Sequence, residues 1–398
     1  MKPFSRAALT MRPSGIREVL DLALERPGTL RLEIGEPDFP TPPHIVEAAA
    51  RAAAEGFTKY TANRGLLSVR EAICAKLAER NGIPAGVDEV VVTAGGGNAL
   101  IETLMVLVDP GEAILVPDPA WPNYEMMAAA LNVAPLRYPL AREADFQPDL
   151  DELERLARHH RAKAMLVNSP GNPTGAVWPR KTLERVLEIA VANDLYVISD
   201  EVYEEIVFEG EHWSPATVDD ERVITVFSTS KTYAMTGWRV GYLVAPRAIT
   251  ALLAKVQEPI VSCATAVAQK AAEAALLGPQ DSVERMREAY RRRRDAAVAL
   301  LRTRGLLVTV PRGAFYIFAD ISRATLDTLE FSRRLVTEHG VAVGPGDTFG
   351  SRAAGLVRIS LAAGDDVIAE GIERLAAAVE EWPGAPGSGK VPGERVQA

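Results

Sequence analysis

Lys231 lies in a segment whose side chains could hold a charged and reactive ligand. It follows the apolar run Val223–Phe227, which predicts a strand, and α/β folds bind ligands just beyond the carboxyl ends of their strands. A lysine is a good nucleophile when it is desolvated or lies near another cation, because its pKa then falls. Arg239 offers a permanent planar cation suited to phosphate, and the hydroxyls of Ser228 and Ser230 could bind phosphate oxygens. Taken alone, such a Ser-Lys pair is more often part of an ordinary surface loop.

Three glycines, Gly95, Gly96 and Gly97, separate a predicted strand from a predicted helix. The free backbone N–H groups at a helix start bind anions, and the helix dipole adds to that attraction. Leu100 stands where the dinucleotide-binding fingerprint needs its third glycine, so that fingerprint is excluded. The glycines favour an anion site, with a plain flexible turn as the alternative.

Two charged residues are placed where an unpaired charge would be costly. Asp200 ends the apolar run that begins at Tyr196, and Arg358 lies inside the apolar run Leu356–Ile359. A buried charge needs a partner, and a guanidinium can bind a carboxylate through two parallel hydrogen bonds. The alternatives are a helix-capping role for Asp200 and a structural ion pair for Arg358.

Three further candidates are aromatic or amide side chains near predicted turns. Trp121 lies in the sequence PAWPNY, Asn172 lies in NPTG, and Tyr203 follows Asp200. A tryptophan ring offers a flat face to a flat ligand, although most tryptophans without such context belong to a core or a surface. The NPTG segment could equally be an ordinary turn.

These residues are distributed over a long alternation of short apolar runs and helix-like segments. Runs such as Tyr196–Ile198 lack alternation, as expected for strands covered on both faces. The predicted strands are Glu89–Val92, Ala113–Val116, Ala164–Val167, Tyr196–Ile198, Val223–Phe227 and Tyr242–Ala245. This pattern predicts an α/β fold with a mainly parallel sheet between helices.

A smaller α+β domain is predicted after a long helix at about 282–304. Its strands are expected at 307–310, 315–318 and 356–359, and its helices at 326–339 and 366–381. The predicted organisation is an N-terminal segment 1–44 that is part of the small domain, a large domain 45–285, a small domain 286–382 and a flexible tail 383–398. The tail sequence GAPGSGK resembles a nucleotide-binding loop, but Val391 follows it and no strand precedes it, so nucleotide binding is not expected.

Composition disfavours several classes of function. The formal net charge of −9 argues against a nucleic-acid partner. No apolar run reaches the length of a membrane span, and the two distant cysteines and five histidines form no metal-site pattern. A cytoplasmic protein without a metal site is expected. The arginines at 291–294 are expected on a solvated helix face.

Taken in order, these segments resemble those of the class I/II aminotransferases over about residues 14–381. These are pyridoxal-phosphate enzymes of fold type I, with a large domain and a smaller one. The resemblance implies that Lys231 holds the cofactor as an imine, that Asp200 pairs with the ring nitrogen, and that Arg358 binds the substrate α-carboxylate. By the same resemblance, Trp121 stacks on the cofactor ring, and Asn172 and Tyr203 bind its phenolic oxygen. The substrate contacts Gly35, Trp121 and Asn172. The residues implied to bind the phosphate are Gly95, Gly96, Gly97, Ser228, Ser230 and Arg239.

The resemblance also implies a homodimer with shared active sites. Tyr60 would reach the phosphate held by the neighbouring subunit, and Gly35 would let the backbone approach the carboxylate closely. The segment 259–265, which should lie near the partner's site, carries no cation for a distal carboxylate. Arg64 is a possible substitute, and a neutral or broad donor preference is expected.

The implied activity is transamination between an L-amino acid and a 2-oxo acid, with Lys231, Asp200 and Tyr203 as catalytic residues in amino-acid metabolism. Because one fold hosts many reactions, a β-eliminating carbon–sulfur lyase is the nearest alternative. A pyridoxal-phosphate-sensing transcription regulator is a second alternative. It would need a DNA-binding module, for which the roughly thirty residues before Gly35 are too few.

Overall fold

Two β-sheets organise the part of the chain that the computed structural model describes, residues 2, 4–11, 13–219 and 221–383. The predicted tail lies outside the described residues, apart from Pro383. The strands are β1 (Leu30–Leu32), β2 (Val90–Thr93), β3 (Ala113–Asp118), β4 (Ala134–Ala141), β5 (Gln147–Pro148), β6 (Ala162–Asn168), β7 (Tyr196–Asp200), β8 (Val223–Ser228), β9 (Gly241–Val244), β10 (Tyr316–Asp320), β11 (Val341–Pro345) and β12 (Leu356–Ser360).

Helices precede, separate and follow these strands. They are α1 (Arg6–Thr10), α2 (Gly15–Leu24), α3 (Pro43–Ala54), α4 (Leu67–Lys76), α5 (Gly96–Leu107), α6 (Asn123–Ala130), α7 (Leu150–Ala157), α8 (Arg180–Ala192), α9 (Thr229–Thr232), α10 (Arg247–Val261), α11 (Ala266–Leu277), α12 (Asp281–Thr303), α13 (Thr328–His339) and α14 (Asp365–Glu381). None of these helices, within the described residues, is long and apolar enough to cross a membrane.

The larger sheet has the order β2-β9-β8-β7-β6-β3-β4-β5. Its central pairs are parallel, whereas β9 runs antiparallel to both of its neighbours. The consecutive residues Ile114 and Leu115 of β3 lie in different hydrophobic clusters. Because side chains alternate across a strand, this separation shows that helices cover both faces of the sheet. The predicted α/β fold with a mainly parallel sheet is confirmed.

The smaller sheet has the order β1-β11-β12-β10. Strand β1 from the start of the chain pairs in parallel with β11, so the N-terminal segment joins the sheet formed by the last third of the chain. On β12, Arg358 pairs with Phe318 of β10 and Gly344 of β11. This register carries the arginine into the interior, while the exact domain boundaries stay a prediction.

The structure differs from the sequence prediction in several elements. The strand predicted at 307–310 is wrong, because Leu307 forms only an isolated bridge to Ala319. Strands β4, β5 and β11 were not predicted. Tyr60 lies in the loop between α3 and α4.

The prediction of a solvated face for all four arginines at 291–294 is wrong for two of them. Arg293 and Arg294 are buried in α12, because four consecutive helical residues point to all sides of the helix. The Arg293 guanidinium donates to both carboxylate oxygens of Asp38, at 2.8 and 2.7 Å, and to Asp365 at 2.8 Å. Arg294 donates to the carbonyl of Pro311 at 2.6 Å. Arg293 therefore fixes the loop that follows β1.

Candidate active site

A cavity of about 730 Å³ lies beyond the carboxyl ends of the central strands of the larger sheet. The smaller sheet and the N-terminal segment close its other side. Its walls include most of the residues that the sequence singled out: Gly35, Gly96, Gly97, Trp121, Asn172, Asp200, Tyr203, Ser228, Ser230, Lys231, Arg239 and Arg358. The order of the strands therefore gathers residues that are far apart in the sequence.

Lys231 lies in the short helix α9, which begins immediately after β8. Its Nζ donates a hydrogen bond to the carbonyl oxygen of Gly35 at 2.5 Å. Burial lowers the pKa of the Lys231 ammonium to about 8; the carboxylate of Glu36 opposes this shift, and Arg358 and Arg239 add to it. The neutral, nucleophilic amine is thus accessible near neutral pH.

An anion site is formed where α5 begins. Gly95 has a φ of +88°, and a Cβ there would lie 2.6 Å from Nη2 of Arg239, so both conformation and space require glycine. Arg239 donates to the carbonyls of Thr236, at 2.9 Å, and Ala94, at 3.4 Å. The guanidinium therefore lies beside the first turn of α5, where the N–H groups of Gly96 and Gly97 have no acceptor within the helix. This arrangement suits a phosphate.

Asp200 ends β7 and is buried, with 3% of its surface exposed. Its Oδ2 accepts a hydrogen bond from Tyr124 Oη at 2.7 Å, and its Oδ1 accepts one from Val202 N at 3.3 Å. Burial raises the pKa of Asp200 to about 6, against the opposing effect of the Tyr124 hydrogen bond. A buried carboxylate whose ionisation is this costly is suited to a cationic ligand group.

Amide side chains connect the ends of neighbouring strands. Asn168 donates to the carbonyl of Asp200 at 3.0 Å and accepts from the backbone N–H of Asn172 at 2.8 Å. The Oδ1 of Asn172 in turn accepts from Nη1 of Arg358 at 2.8 Å. Asn172 therefore links the larger sheet to the arginine of the smaller one.

Arg358 is buried between aromatic rings and backbone acceptors. Its guanidinium carbon lies 4.2 Å from the ring centroid of Tyr316 and 4.9 Å from that of Phe349. Nη2 donates to the carbonyl of Glu33, whereas Nε has no partner among the described residues. A positioned guanidinium with a free donor fits the carboxylate of a ligand.

Two tyrosines meet beside Arg358. The hydroxyls of Tyr203 and Tyr316 lie 2.9 Å apart, and burial raises the pKa of both phenols, so they stay protonated. A Cβ at Gly35 would lie 1.7 Å from the Tyr316 hydroxyl. Glycine is therefore required at this position because Tyr316 approaches the backbone closely.

The comparison with protein families covers nearly the whole chain. A family model described as aminotransferase class I and II matches residues 27–379. The chain belongs to this family. The predicted membership and the predicted aminotransferase activity are confirmed.

Individual relatives of this aminotransferase cover almost all of it. The aspartate/prephenate aminotransferase of Thermus thermophilus is 40% identical over 383 residues, which are 94% of this chain and 98% of that protein. The arginine–pyruvate transaminase of Pseudomonas aeruginosa is 38% identical over 358 residues, 89% of this chain and 91% of that protein. Among solved structures, an alanine aminotransferase from Pyrococcus furiosus superposes with a TM-score of 0.90 at 34% identity, covering 95% of this chain and 100% of that one.

Three predicted site residues of the aminotransferase, Gly95, Tyr60 and Arg64, do not line the cavity of their own subunit. Gly95 directly precedes the lining residues Gly96 and Gly97. Tyr60 is 88% exposed in the loop between α3 and α4. Arg64 donates to the carbonyl of Asp88 at 3.1 Å and pairs with its carboxylate at 3.6 Å. Arg64 is therefore occupied by a partner within its own chain.

Several residues of the aminotransferase site were missed in the sequence. Tyr124 follows Trp121 by three residues, a helical spacing that could have placed the two together; their rings meet edge to face at 5.4 Å. Asn168 and Tyr316 gave no comparable signal. Asp118, at the end of β3, accepts hydrogen bonds from Ser351 Oγ at 2.7 Å and Arg352 N at 3.1 Å, and so holds the loop after β11 against the larger sheet.

Proposed function

We propose that this aminotransferase uses pyridoxal 5′-phosphate held by Lys231 and moves an amino group between an L-amino acid and a 2-oxo acid. One observation carries the proposal. A lysine with a lowered pKa, an arginine beside a helix start, and a buried carboxylate all line one cavity. These three groups complement the aldehyde, the phosphate and the ring nitrogen of that cofactor.

The residues present fit each part of the cofactor. Arg239, the first-turn N–H groups of α5 at Gly96 and Gly97, and the hydroxyls of Ser228 and Ser230 would hold the phosphate. Asp200 would hold the protonated ring nitrogen, which offsets the cost of the buried negative charge. Trp121 offers its flat face to the ring, and Asn172 and Tyr203 would donate to the phenolic oxygen. Bound pyridoxal phosphate supplies a carbonyl carbon that reacts with amines and a cationic ring that withdraws electrons from the substrate Cα.

The chain's own residues would position the substrate and move its proton. Arg358 binds the α-carboxylate through its free Nε and is itself held by Asn172 and by the Glu33 carbonyl. This anchor fixes the direction of the Cα–H bond. The Lys231 amine would then accept the proton from the substrate Cα and deliver it to the C4′ carbon of the bound cofactor, a task suited to its pKa of about 8.

The donor amino acid is not fixed by the relatives, because they are named for different substrates: aspartate and prephenate, arginine, and alanine. The cavity wall includes the apolar residues Ile16, Leu20, Ile34 and Met126. These side chains support a neutral or broad donor preference.

Product analysis tests this function against the lyase alternative, which no observation favours. A transaminase is expected to release the 2-oxo acid of the donor and one equivalent of a new amino acid, and only when a 2-oxo acid acceptor is present. Both products are measured by mass spectrometry across a panel of amino donors. Ammonia and pyruvate released from a single substrate without an acceptor would contradict transamination.

We further propose that the enzyme is a homodimer in which Tyr60 serves the partner's phosphate site. The loop that carries Tyr60 is held firmly: Thr61 N donates to Cys263 Sγ at 3.4 Å, and Asn63 Nδ2 donates to the Ala254 carbonyl at 3.2 Å. A large aromatic side chain that a fixed loop presents to solvent is typical of an interface. The exposed Ile260 and Val261 at the end of α10 extend this apolar surface.

Mixing two inactive chains tests the shared site. Lys231→Ala and Tyr60→Asp homodimers are each expected to be inactive. If Tyr60 acts across the interface, a mixed dimer has both lesions in one site and one intact site. Activity should return to about half of the wild-type value per mixed dimer, measured after co-expression and tag-based separation. Mixed dimers that form but stay inactive would show that Tyr60 serves its own subunit or no site.

A further inference from the structure

Helix α2 contributes a charged residue to the cavity wall. Ile16, Arg17 and Leu20 all line the cavity. The helix start packs tightly on the smaller sheet, because a Cβ at Gly15 would lie 2.4 Å from Thr348 Oγ1 and 3.1 Å from Pro345 Cγ. Pro345 follows Gly344, which pairs with Arg358. The backbone that carries Arg17 is therefore anchored to the same sheet that carries the proposed α-carboxylate anchor, Arg358.

Arg17 is a cation that the proposed reaction leaves without a role. Four other charged residues of the cavity wall have a role in the proposed reaction: Asp200, Lys231, Arg239 and Arg358. The wall residue Glu36 already has a partner, because it accepts a hydrogen bond from Thr236 Oγ1 at 2.5 Å.

No acidic side chain within the described residues neutralises Arg17. The neighbouring Glu18 carboxylate is occupied, since it accepts from Arg333 at 2.6 Å. The Arg17 side chain is exposed and forms no ion pair with any described residue.

We propose that Arg17 is a specificity-determining residue that binds the distal carboxylate of a dicarboxylic substrate. The inference rests on the proposed function, because the ligand is the substrate whose α-carboxylate Arg358 holds. A guanidinium is always charged and binds carboxylates through two parallel hydrogen bonds. Because Arg17 is exposed, its long side chain can turn to solvent when the substrate side chain is apolar, which then contacts Ile16 and Leu20.

Binding of unreactive carboxylates to the cofactor-loaded enzyme tests Arg17 without turnover. The ligands are succinate, glutarate and adipate, each compared by calorimetry with the monocarboxylate of equal carbon number. Wild type is expected to bind the best-fitting dicarboxylate at least about tenfold more tightly than its monocarboxylate. Arg17→Gln, which removes the charge but keeps a polar side chain, should abolish this preference. Arg26→Gln removes a charge just beyond the end of α2, outside the cavity wall, and should keep it.

Turnover gives a second and independent measurement. In Arg17→Gln, kcat/KM for glutamate should fall about ten- to a hundredfold, whereas kcat/KM for methionine, which is similar in length but uncharged, should change less than about threefold. A folded Arg17→Gln enzyme with an unchanged dicarboxylate preference and an unchanged glutamate-to-methionine ratio would overturn the role of Arg17 alone. If wild type transaminates no donor, the proposed function is overturned. The binding of succinate, glutarate and adipate would still show whether Arg17 binds a distal carboxylate.

Discussion

Replacing Lys231 by alanine is expected to lower kcat by roughly four orders of magnitude or more. The lysine would both hold the cofactor and move the substrate proton, and no other described lysine lines the cavity. The variant should still bind pyridoxal phosphate through the anion site at Arg239 and through Asp200. Turnover of an amino donor and cofactor content, measured separately, therefore distinguish lost chemistry from lost binding.

Borohydride reduction followed by peptide mass spectrometry identifies the lysine to which the cofactor is bound. Wild type should carry one reduced cofactor adduct at Lys231, and Lys231→Ala should carry none. Lys181→Ala, which removes an exposed lysine from α8, should behave as wild type. Near-normal turnover of Lys231→Ala, or an adduct on another lysine, would remove Lys231 from the centre of the mechanism.

The rate at which the apo protein forms the covalent adduct with pyridoxal phosphate depends on pH, and this dependence reports the pKa of Lys231. Because burial lowers the pKa of its ammonium from 10.5 to about 8, the neutral amine predominates above pH 8. The rate of adduct formation by the apo protein should rise with pH through about 8 and then level off. An unshifted lysine would continue to gain reactivity up to a pH of roughly 10.4.

The positions of the main site residues could be predicted because they follow local signals. Asp200 and Lys231 lie at or shortly after the ends of apolar runs, and the three glycines lie at the start of a helix. Parallel strands end at a common edge, so residues at those ends must converge. Each of these inferences depends only on a few neighbouring residues and on the sheet being parallel.

Contacts between distant segments could not be predicted in the same way. Arg293 binds Asp38 across 255 positions of sequence, and nothing near either residue indicates the other. The approach of Tyr316 to Gly35 likewise depends on the packing of β10 against the loop after β1. Strand β4 was missed because its exposed and buried positions do not form a continuous apolar run, and Pro135 and Pro139 interrupt it.

Replacing Asp200 by asparagine is expected to lower kcat by about two to three orders of magnitude while leaving the fold intact. The amide has nearly the same shape, and its oxygen can still accept a hydrogen bond from Val202 N while its NH2 group donates to the Tyr124 hydroxyl. It cannot, however, hold a proton on the ring nitrogen. Tyr124→Phe is the matched control, because it removes one hydrogen bond and keeps the carboxylate. Its effect on kcat should stay within about tenfold.

The free energy of unfolding of the apo protein, measured against pH, shows whether Asp200 matters through its charge or through its contribution to the fold. Since burial raises the pKa of Asp200 from 3.8 to about 6, the folded apo protein holds a proton that the unfolded chain releases. The free energy of unfolding should therefore fall as the pH rises from about 4 to 6, and stay level above that as far as this residue is concerned. Asp200→Asn should lack this decrease, so the apo variant should be at least as stable as apo wild type at pH 7. The cofactor-loaded variant should nevertheless turn over far more slowly than loaded wild type. A variant that is both slower and less stable at pH 7 would show that Asp200 supports the fold rather than the charge of a bound ring.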